Sequence, residues 1–294
     1  MILFASPEFA ASAIALRESV VGLGAGEFRA GRFDNGEMFI QLDTPVAGES
    51  CLILGSITPP ETQLFSTLLL AHTLRKEGAK QVTGVFPYLA YSRQDKNKSG
   101  QSLAAAWTGA IAYASGVDRV ITIDVHSPDD QRLFPIPLIS ISPATVFGAA
   151  LNRNQLAGAT IIAPDEGAIQ RCEAVREAAG LEPAAIPWFE KHRAETGIQH
   201  ARFTGEVGLQ AVLVDDILDT GATLISACQR LLTAGVEDIQ IMVTHGLFTG
   251  TEWERLWELG VSRIFCTDTI PRRAGINDAR IVTLSAMPLL ARAV

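Results

Sequence analysis

The stretch Val212-Leu-Val-Asp-Asp-Ile-Leu-Asp-Thr-Gly-Ala-Thr-Leu224 concentrates the groups best suited to chemistry. An apolar run, Ala211 to Val214, leads into adjacent carboxylates at Asp215 and Asp216. Asp219, Thr220, Gly221, Ala222 and Thr223 follow, then a helix-like stretch from Leu224 to Leu232. This reads as a strand, a turn and a helix N-terminus. Backbone N–H groups and a positive dipole end gather at such a turn, with two hydroxyls beside them, and Gly221 leaves room for a ligand's close approach. The loop suits a phosphate monoester. The acid pair suits vicinal hydroxyls of a sugar, directly or through a divalent cation. A strand-end acid plus an Asp N-cap would account for one carboxylate, not for two plus D-T-G-A-T at this spacing.

Other polar clusters fall in equivalent places. Arg93-Gln94, His126 and Asp165 each follow an apolar, strand-like run, as Asp215 to Asp219 do. Ligands of open α/β sheets bind beyond the carboxyl ends of the strands. Clusters from both halves of the chain are therefore expected to face a cleft between two domains. The elements that must position them recur as one unit, a helical stretch, a glycine and an apolar strand, at 74–87, 113–126, 231–245 and 256–268. Gly78, Gly116, Gly235 and Gly260 stand where a left-handed C-cap ends a helix. Strands alternating with helices predict parallel, doubly wound sheets with right-handed crossovers. Two units in each half predict tandem α/β domains, with the break near Ser140–Ala144 where Pro137 and Pro143 punctuate the chain.

The Asp215–Thr223 segment resembles the phosphoribosyl-diphosphate (PRPP) motif shared by type I phosphoribosyltransferases and PRPP synthases. Further motifs separate the two. Arg32-Phe-Asp-Asn-Gly-Glu37, Phe86 to Lys96, Val120 to Ser127, Ala163-Pro-Asp-Glu-Gly167 and Lys191-His-Arg193 resemble those of ribose-phosphate diphosphokinases, in that family's order. The resemblance spans about Phe33 to Thr223, and the short chain is nearer the compact, archaeal-like members. It implies an α/β fold of two tandem phosphoribosyltransferase-like domains, each a doubly wound, mainly parallel sheet flanked by helices. Residues 1–142 would be the ATP side, 143–283 the ribose 5-phosphate side, and 284–294 a return to the first domain. It also implies Mg²⁺-dependent transfer of diphosphate from ATP to the 1-hydroxyl of ribose 5-phosphate, yielding PRPP and AMP.

Residue roles carry over by the same resemblance. Phe33, Asn35 and Glu37 match the segment that contacts adenine, reaching in from a neighbouring subunit, which implies a homodimer or higher homo-oligomer. Arg93, Gln94 and His126 match ATP contacts, and His126 with Asp165 the groups around the metal. Asp215 and Asp216 match ribose contacts, and Asp219, Thr220, Gly221, Ala222 and Thr223 the 5-phosphate loop. Lys191 and Arg193 match a flexible-loop pair that stabilises the transferring group. Two departures stand out: Asn35 where the family usually has Asp, and Ala222 where a second glycine is commoner. The alternatives are a type I phosphoribosyltransferase, which leaves Arg93-Gln94 and His126 unexplained, and a noncatalytic PRPP-synthase-associated regulatory protein, which has no need of Lys191, Arg193, Asp165 and the acid pair.

Composition narrows the field. The 294 residues are 48% hydrophobic and 19% charged, enough for two soluble domains. A net charge of −8 argues against nucleic acid as a partner. The four cysteines form no CxxC pair, so neither a zinc site nor a disulfide framework is expected. No G-x-x-x-x-G-K-[ST] loop is present, so the nucleotide is not held by a Walker A site. MILFASPEFA has no basic start and no apolar run reaches ~18 residues, which predicts a cytoplasmic protein with no membrane partner. Trp253 and Trp257, four apart, read as core packing rather than a base-stacking platform.

Overall fold

The computed structural model describes residues 1–127, 129–194, 197–271 and 275–294, with 191–194 and 197–202 described by backbone alone. Contacts divide the chain into two units, Met1–Ile141 with Met287–Val294, and Ser142–Ala286.

The first unit contains β1 (Ile2–Ala5), α1 (Ala10–Ser19), β2 (Gly24–Ala25), β3 (Phe28–Arg32), β4 (Met38–Leu42) and β5 (Ser50–Leu54). It continues through α2 (Glu61–Lys76), β6 (Gln81–Val85), α3 (Ala104–Ala114), β7 (Arg119–Ile123), α4 (Asp130–Leu133) and β8 (Leu138–Ile141). Six strands form one sheet in the order β2-β1-β5-β6-β7-β8, and every neighbouring pair is parallel. β3 and β4 stand apart as an antiparallel pair. The central strands read Ser-Cys-Leu-Ile-Leu and Arg-Val-Ile-Thr-Ile because a parallel strand covered on both faces needs an almost unbroken apolar run.

In the second unit, α5 (Ala144–Arg153), β9 (Thr160–Ile162) and α6 (Ile169–Ala178) precede an antiparallel pair, β10 (Trp188–Ala194) and β11 (Gly197–Thr204). β12 (Gln210–Leu218), α7 (Ala222–Thr233), β13 (Asp238–Gly246), α8 (Arg255–Glu258), β14 (Val261–Thr267) and β15 (Ile281–Leu284) follow. A five-stranded parallel sheet runs β15-β14-β13-β12-β9. Side chains alternate between its two faces, as the strand period requires. Leu213, Ile241, Val243 and Ile264 enter one apolar core with α7, while Val212, Val214, Met242 and Phe265 enter the other with α5 and α6. The last helix, α9 (Met287–Ala291), belongs to the first unit and packs on α1.

The glycine punctuation is as expected from sequence. Gly78, Gly116, Gly235 and Gly260 all have φ between +75° and +90°. At the first three, the next residue's N–H reaches back to a carbonyl inside the helix, Ala79 to Leu74, Val117 to Ala112 and Val236 to Leu231, closing Schellman motifs. Arg75, in the last turn of α2, ties this corner together. Its guanidinium donates to the Ala79 and Gly116 carbonyls and pairs with Asp118. All four cysteines are free and buried.

One segment departs from expectation. The resemblance implies a flexible loop carrying Lys191 and Arg193, whereas the backbone there is strand β10, beginning at Trp188. Pro187 sets this start, since its carbonyl accepts the Ala163 N–H and Trp188 bridges Ala163 beyond the end of β9.

Candidate active site

The phosphate-loop segment occupies the carboxyl end of β12 and the start of α7. β12 runs through both acids to Leu218, further than the apolar run alone implies, because Ile217 and Leu218 pair with His245 and Gly246 of β13. Gly221 is the N-cap of α7 at φ +87°, with no side chain capping the helix, so the first-turn N–H groups face the loop. Ala222 is already helical, and its methyl group is tolerated for that reason. Asp219 is half-buried, Thr220 exposed and Thr223 half-buried.

The two acids are unequal. Asp215 and Asp216 are both buried, and Asp215 Oδ1 accepts the Asp216 N–H at 2.9 Å. Burial holds the Asp215 carboxyl well above the usual carboxylate range, with further upward pushes from Asp216 and, more weakly, Asp165, against an opposing effect from Arg171. Arg171 lies in the first turn of α6, with a guanidinium nitrogen 4.0 Å from Asp216 Oδ2 and both side chains nearly buried. Burial thus favours the protonated form of Asp215, while the Arg171 cation stands beside Asp216. Such a pair can both donate to and accept from adjacent hydroxyls. Sequence reading passed over Arg171, which is brought beside Asp216 only by the packing of α6 on β12. Asp165 is half-buried in the turn between β9 and α6.

In the first unit, Arg93 and Gln94 follow β6, and His126 follows β7, its parallel neighbour. All three side chains are exposed. The Gln94 side-chain oxygen accepts the Ser102 hydroxyl, and the Gln94 carbonyl accepts the Ala105 N–H at 3.3 Å. Asp124 takes φ +48° where the chain leaves β7, and Val125 N–H donates to Ser140 Oγ at 2.9 Å, which fixes the approach to His126. Four residues on lies a group that sequence reading missed. Asp130 is fully buried, and its carboxylate oxygens have no hydrogen-bond partner among the described residues. Burial pushes its carboxyl up to about 7, Asp95 adds to the rise, and His126 opposes it.

Phe33 to Glu37 form the tight turn between β3 and β4, with Gly36 at φ +88°. The Glu37 carbonyl accepts the Phe33 N–H, while Asn35 Oδ1 accepts the Glu37 N–H at 3.1 Å. Asn35 therefore shapes the turn, a task that needs a side-chain oxygen and no charge. The tip is exposed, and the Phe33 ring packs against Phe39 with centroids 5.1 Å apart. A groove of about 730 Å³ runs beside this turn, lined by Glu37, Glu61, Phe65, Tyr91 and Trp107 among others. Lys191 and Arg193 lie on β10 with Cα partners His200 and Ile198, and their side chains fall outside the described residues.

Two parallel α/β sheets, one of them leading through an acid pair and a glycine turn into a helix N-terminus, define a protein of the phosphoribosyltransferase-like class. The model of the N-terminal domain of ribose phosphate pyrophosphokinase matches residues 4–116, and that of the phosphoribosyl synthetase-associated domain matches 198–294. The chain is 30% identical over 278 residues to a ribose-phosphate pyrophosphokinase of Gloeobacter violaceus, covering 93% of this chain and 83% of that one. It is likewise 30% identical over 295 residues to that of Cereibacter sphaeroides, covering 97% and 87%. Phosphoribosylpyrophosphate synthetase from Mycobacterium smegmatis shares the fold, with a TM-score of 0.88 over 99% of this chain and 96% of that one, at 24% identity. The chain belongs to the ribose-phosphate pyrophosphokinase family, and it is an enzyme, a transferase of diphosphoryl groups.

Proposed function

We propose that the protein transfers the diphosphoryl group of ATP to the 1-hydroxyl of ribose 5-phosphate, giving PRPP and AMP. The observation that carries this reading is the 215–223 segment, where two buried acids, one of them beside Arg171, lead into a helix N-terminus that no side chain caps. A phosphorylated sugar has the matching groups: vicinal hydroxyls for Asp215 and Asp216, and a 5-phosphate for the N–H groups and hydroxyls of Asp219 to Thr223. Residues 143–283 hold the sugar in this reading, residues 1–142 hold ATP, and the C-terminal residues from Met287 on complete the first domain. The sugar's 1-oxygen attacks the β-phosphorus, the bond between the α- and β-phosphates breaks, and AMP leaves. The protein's task is to align these atoms and to balance the charge that spreads over the transferring oxygens.

Arg93 and Gln94 contact ATP, and Lys191 and Arg193 bind the transferring diphosphoryl oxygens. His126 in the first unit and Asp165 in the second are each candidates to hold Mg²⁺, which supplies charge neutralisation on the nucleotide's phosphates when bound. Mg²⁺ takes one or two carboxylates and fills its remaining positions with phosphate and water. Asp165, a half-buried acid close enough to Asp215 to raise its carboxyl, fits that demand for an oxygen donor. The exposed tip Phe33–Glu37 reaches a neighbouring subunit's adenine, so the active form is a homodimer or a higher homo-oligomer. The enzyme works in the cytoplasm; no helix among the described residues is long and apolar enough to cross a membrane.

Gly221→Val tests the sugar assignment. The new side chain meets a positive φ and Trp253 Cα at 3.0 Å, so the loop must move. KM for ribose 5-phosphate should rise much more than KM for ATP. A raised ATP KM with an unchanged sugar KM would place the two substrates the other way round.

A further inference from the structure

The turn from β12 into α7 has a wall directly behind it. A Cβ added to Gly221 would lie 3.0 Å from Trp253 Cα and 3.1 Å from Trp253 Cβ, so even a methyl group there needs the wall to give by a few tenths of an ångström. Trp253 is buried in the short turn Glu252–Glu254, and its indole N–H donates to the Gly250 carbonyl at 3.1 Å. Its ring meets Phe248 edge-on, with centroids 4.9 Å apart. Phe248 is buried at φ +49°, a left-handed conformation that a bulky side chain rarely adopts. Gly246 makes the conformation possible, since a Cβ there would sit 2.5 Å from the Phe248 ring.

That corner is where the loop is pinned. Leu247 and Phe248 donate their N–H groups to the Leu218 carbonyl at 2.8 and 3.1 Å, and Thr249 donates to the Asp219 carbonyl at 3.0 Å. The first residues of the loop are thus held by backbone hydrogen bonds, and Gly221 is held by contact with Trp253. Backbone strain persists where the surrounding structure over-determines it, and it gathers at ligand clamps. Each of these contacts is made with the backbone of the loop. Their effect on a ligand must pass through the loop.

We propose that Phe248 and Trp253 are positioning residues for the 219–223 loop, holding its backbone donors in the geometry that a sugar phosphate requires. The inference rests on the reading of this loop as the 5-phosphate cradle. A rigid cradle binds more tightly because no ordering cost is met on binding. Without the wall, α7 keeps its own anchors, Leu224, Cys228 and Leu231, in the core, while the loop drifts from its binding geometry.

The test uses the full chain and four variants: Trp253→Ala, Trp253→Phe, Phe248→Leu and Gly221→Val. Thermal melts establish that each is folded, calorimetry gives Kd for ribose 5-phosphate, and kinetics give KM for both substrates. Trp253→Ala and Phe248→Leu should weaken ribose 5-phosphate by roughly tenfold or more, as misplaced binding groups do. The ATP KM should stay within about twofold, because the loop carries no nucleotide contact in this reading. Trp253→Phe, which keeps a ring on Phe248, should recover most of the affinity. If Trp253→Ala does not fold, Phe248→Leu decides alone. Unchanged sugar affinity in a folded Phe248→Leu protein, or equal losses for both substrates, overturns the proposal. If Gly221→Val leaves sugar affinity unchanged as well, the cradle assignment itself is what fails.

Discussion

Replacing Asp130 with Asn should make the protein more stable at alkaline pH. The carboxyl is fully buried with no hydrogen-bond partner among the described residues, and burial raises it from 3.8 to about 7. Its folded-state value lies above its unfolded value, so the folded state binds more protons between those limits. Stability contributed by the protonated form is complete below about pH 4 and lost as pH rises through about 7. The rise from 3.8 to about 7 corresponds to a ceiling of about 4 kcal/mol. Screening by water near the exposed His126 and Asp129 brings the expected figure to about 2 kcal/mol. Asn has similar volume and cannot ionise, so the variant should lack the decline. Melting temperatures from pH 4.5 to 8.5 give the answer, at roughly 2–4 °C per kcal/mol for a domain of about 150 residues. The two proteins should converge near pH 4.5 and separate progressively to pH 8, with the variant higher. Parallel curves, or a variant that melts lower at pH 8.5, would show that Asp130 finds a partner and carries no such penalty.

Lys191→Ala should lower kcat by something on the order of 10²–10³ with little change in KM, because a group meeting the diphosphoryl oxygens acts mainly in the transition state; a near-normal kcat would return Lys191 to a solvated surface charge. Arg193→Ala should behave alike, and the double variant should lose less than the product of the single losses, since both act on one charge. Mixing a Phe33→Ala protein with a Lys191→Ala protein should restore partial activity if the turn completes a neighbour's site, whereas full specific activity in a demonstrably monomeric preparation would contradict it.

Much of the frame was legible because it rests on local rules. Helix-ending glycines could be placed from sequence, since a C-cap at positive φ favours glycine whatever lies around it. The parallel sheets followed from strands alternating with helices, as in the units at 113–126 and 231–245. Trp253 and Trp257 were rightly read as packing, with ring centroids 6.1 Å apart. The β10–β11 pair was not legible, because Trp188 to Thr204 is rich in charge and carries no continuous apolar run. Nor could local pattern reveal Arg171 beside Asp216, the buried Asp130, or Phe248 in a left-handed conformation behind the phosphate loop. Those three depend on which segments fold against one another, and an Asp or a Phe has the same appearance in sequence whether exposed or enclosed.

Whether the chain moves a diphosphoryl unit is decided by the products of one reaction. Pure protein is mixed with Mg²⁺, ribose 5-phosphate and ATP labelled at the β-phosphorus, and the mixture is separated. The account predicts AMP and PRPP in equal amounts, with the label wholly in PRPP and no ADP. ADP accompanied by a ribose bisphosphate would mean transfer of the γ-phosphoryl group alone, and would contradict it.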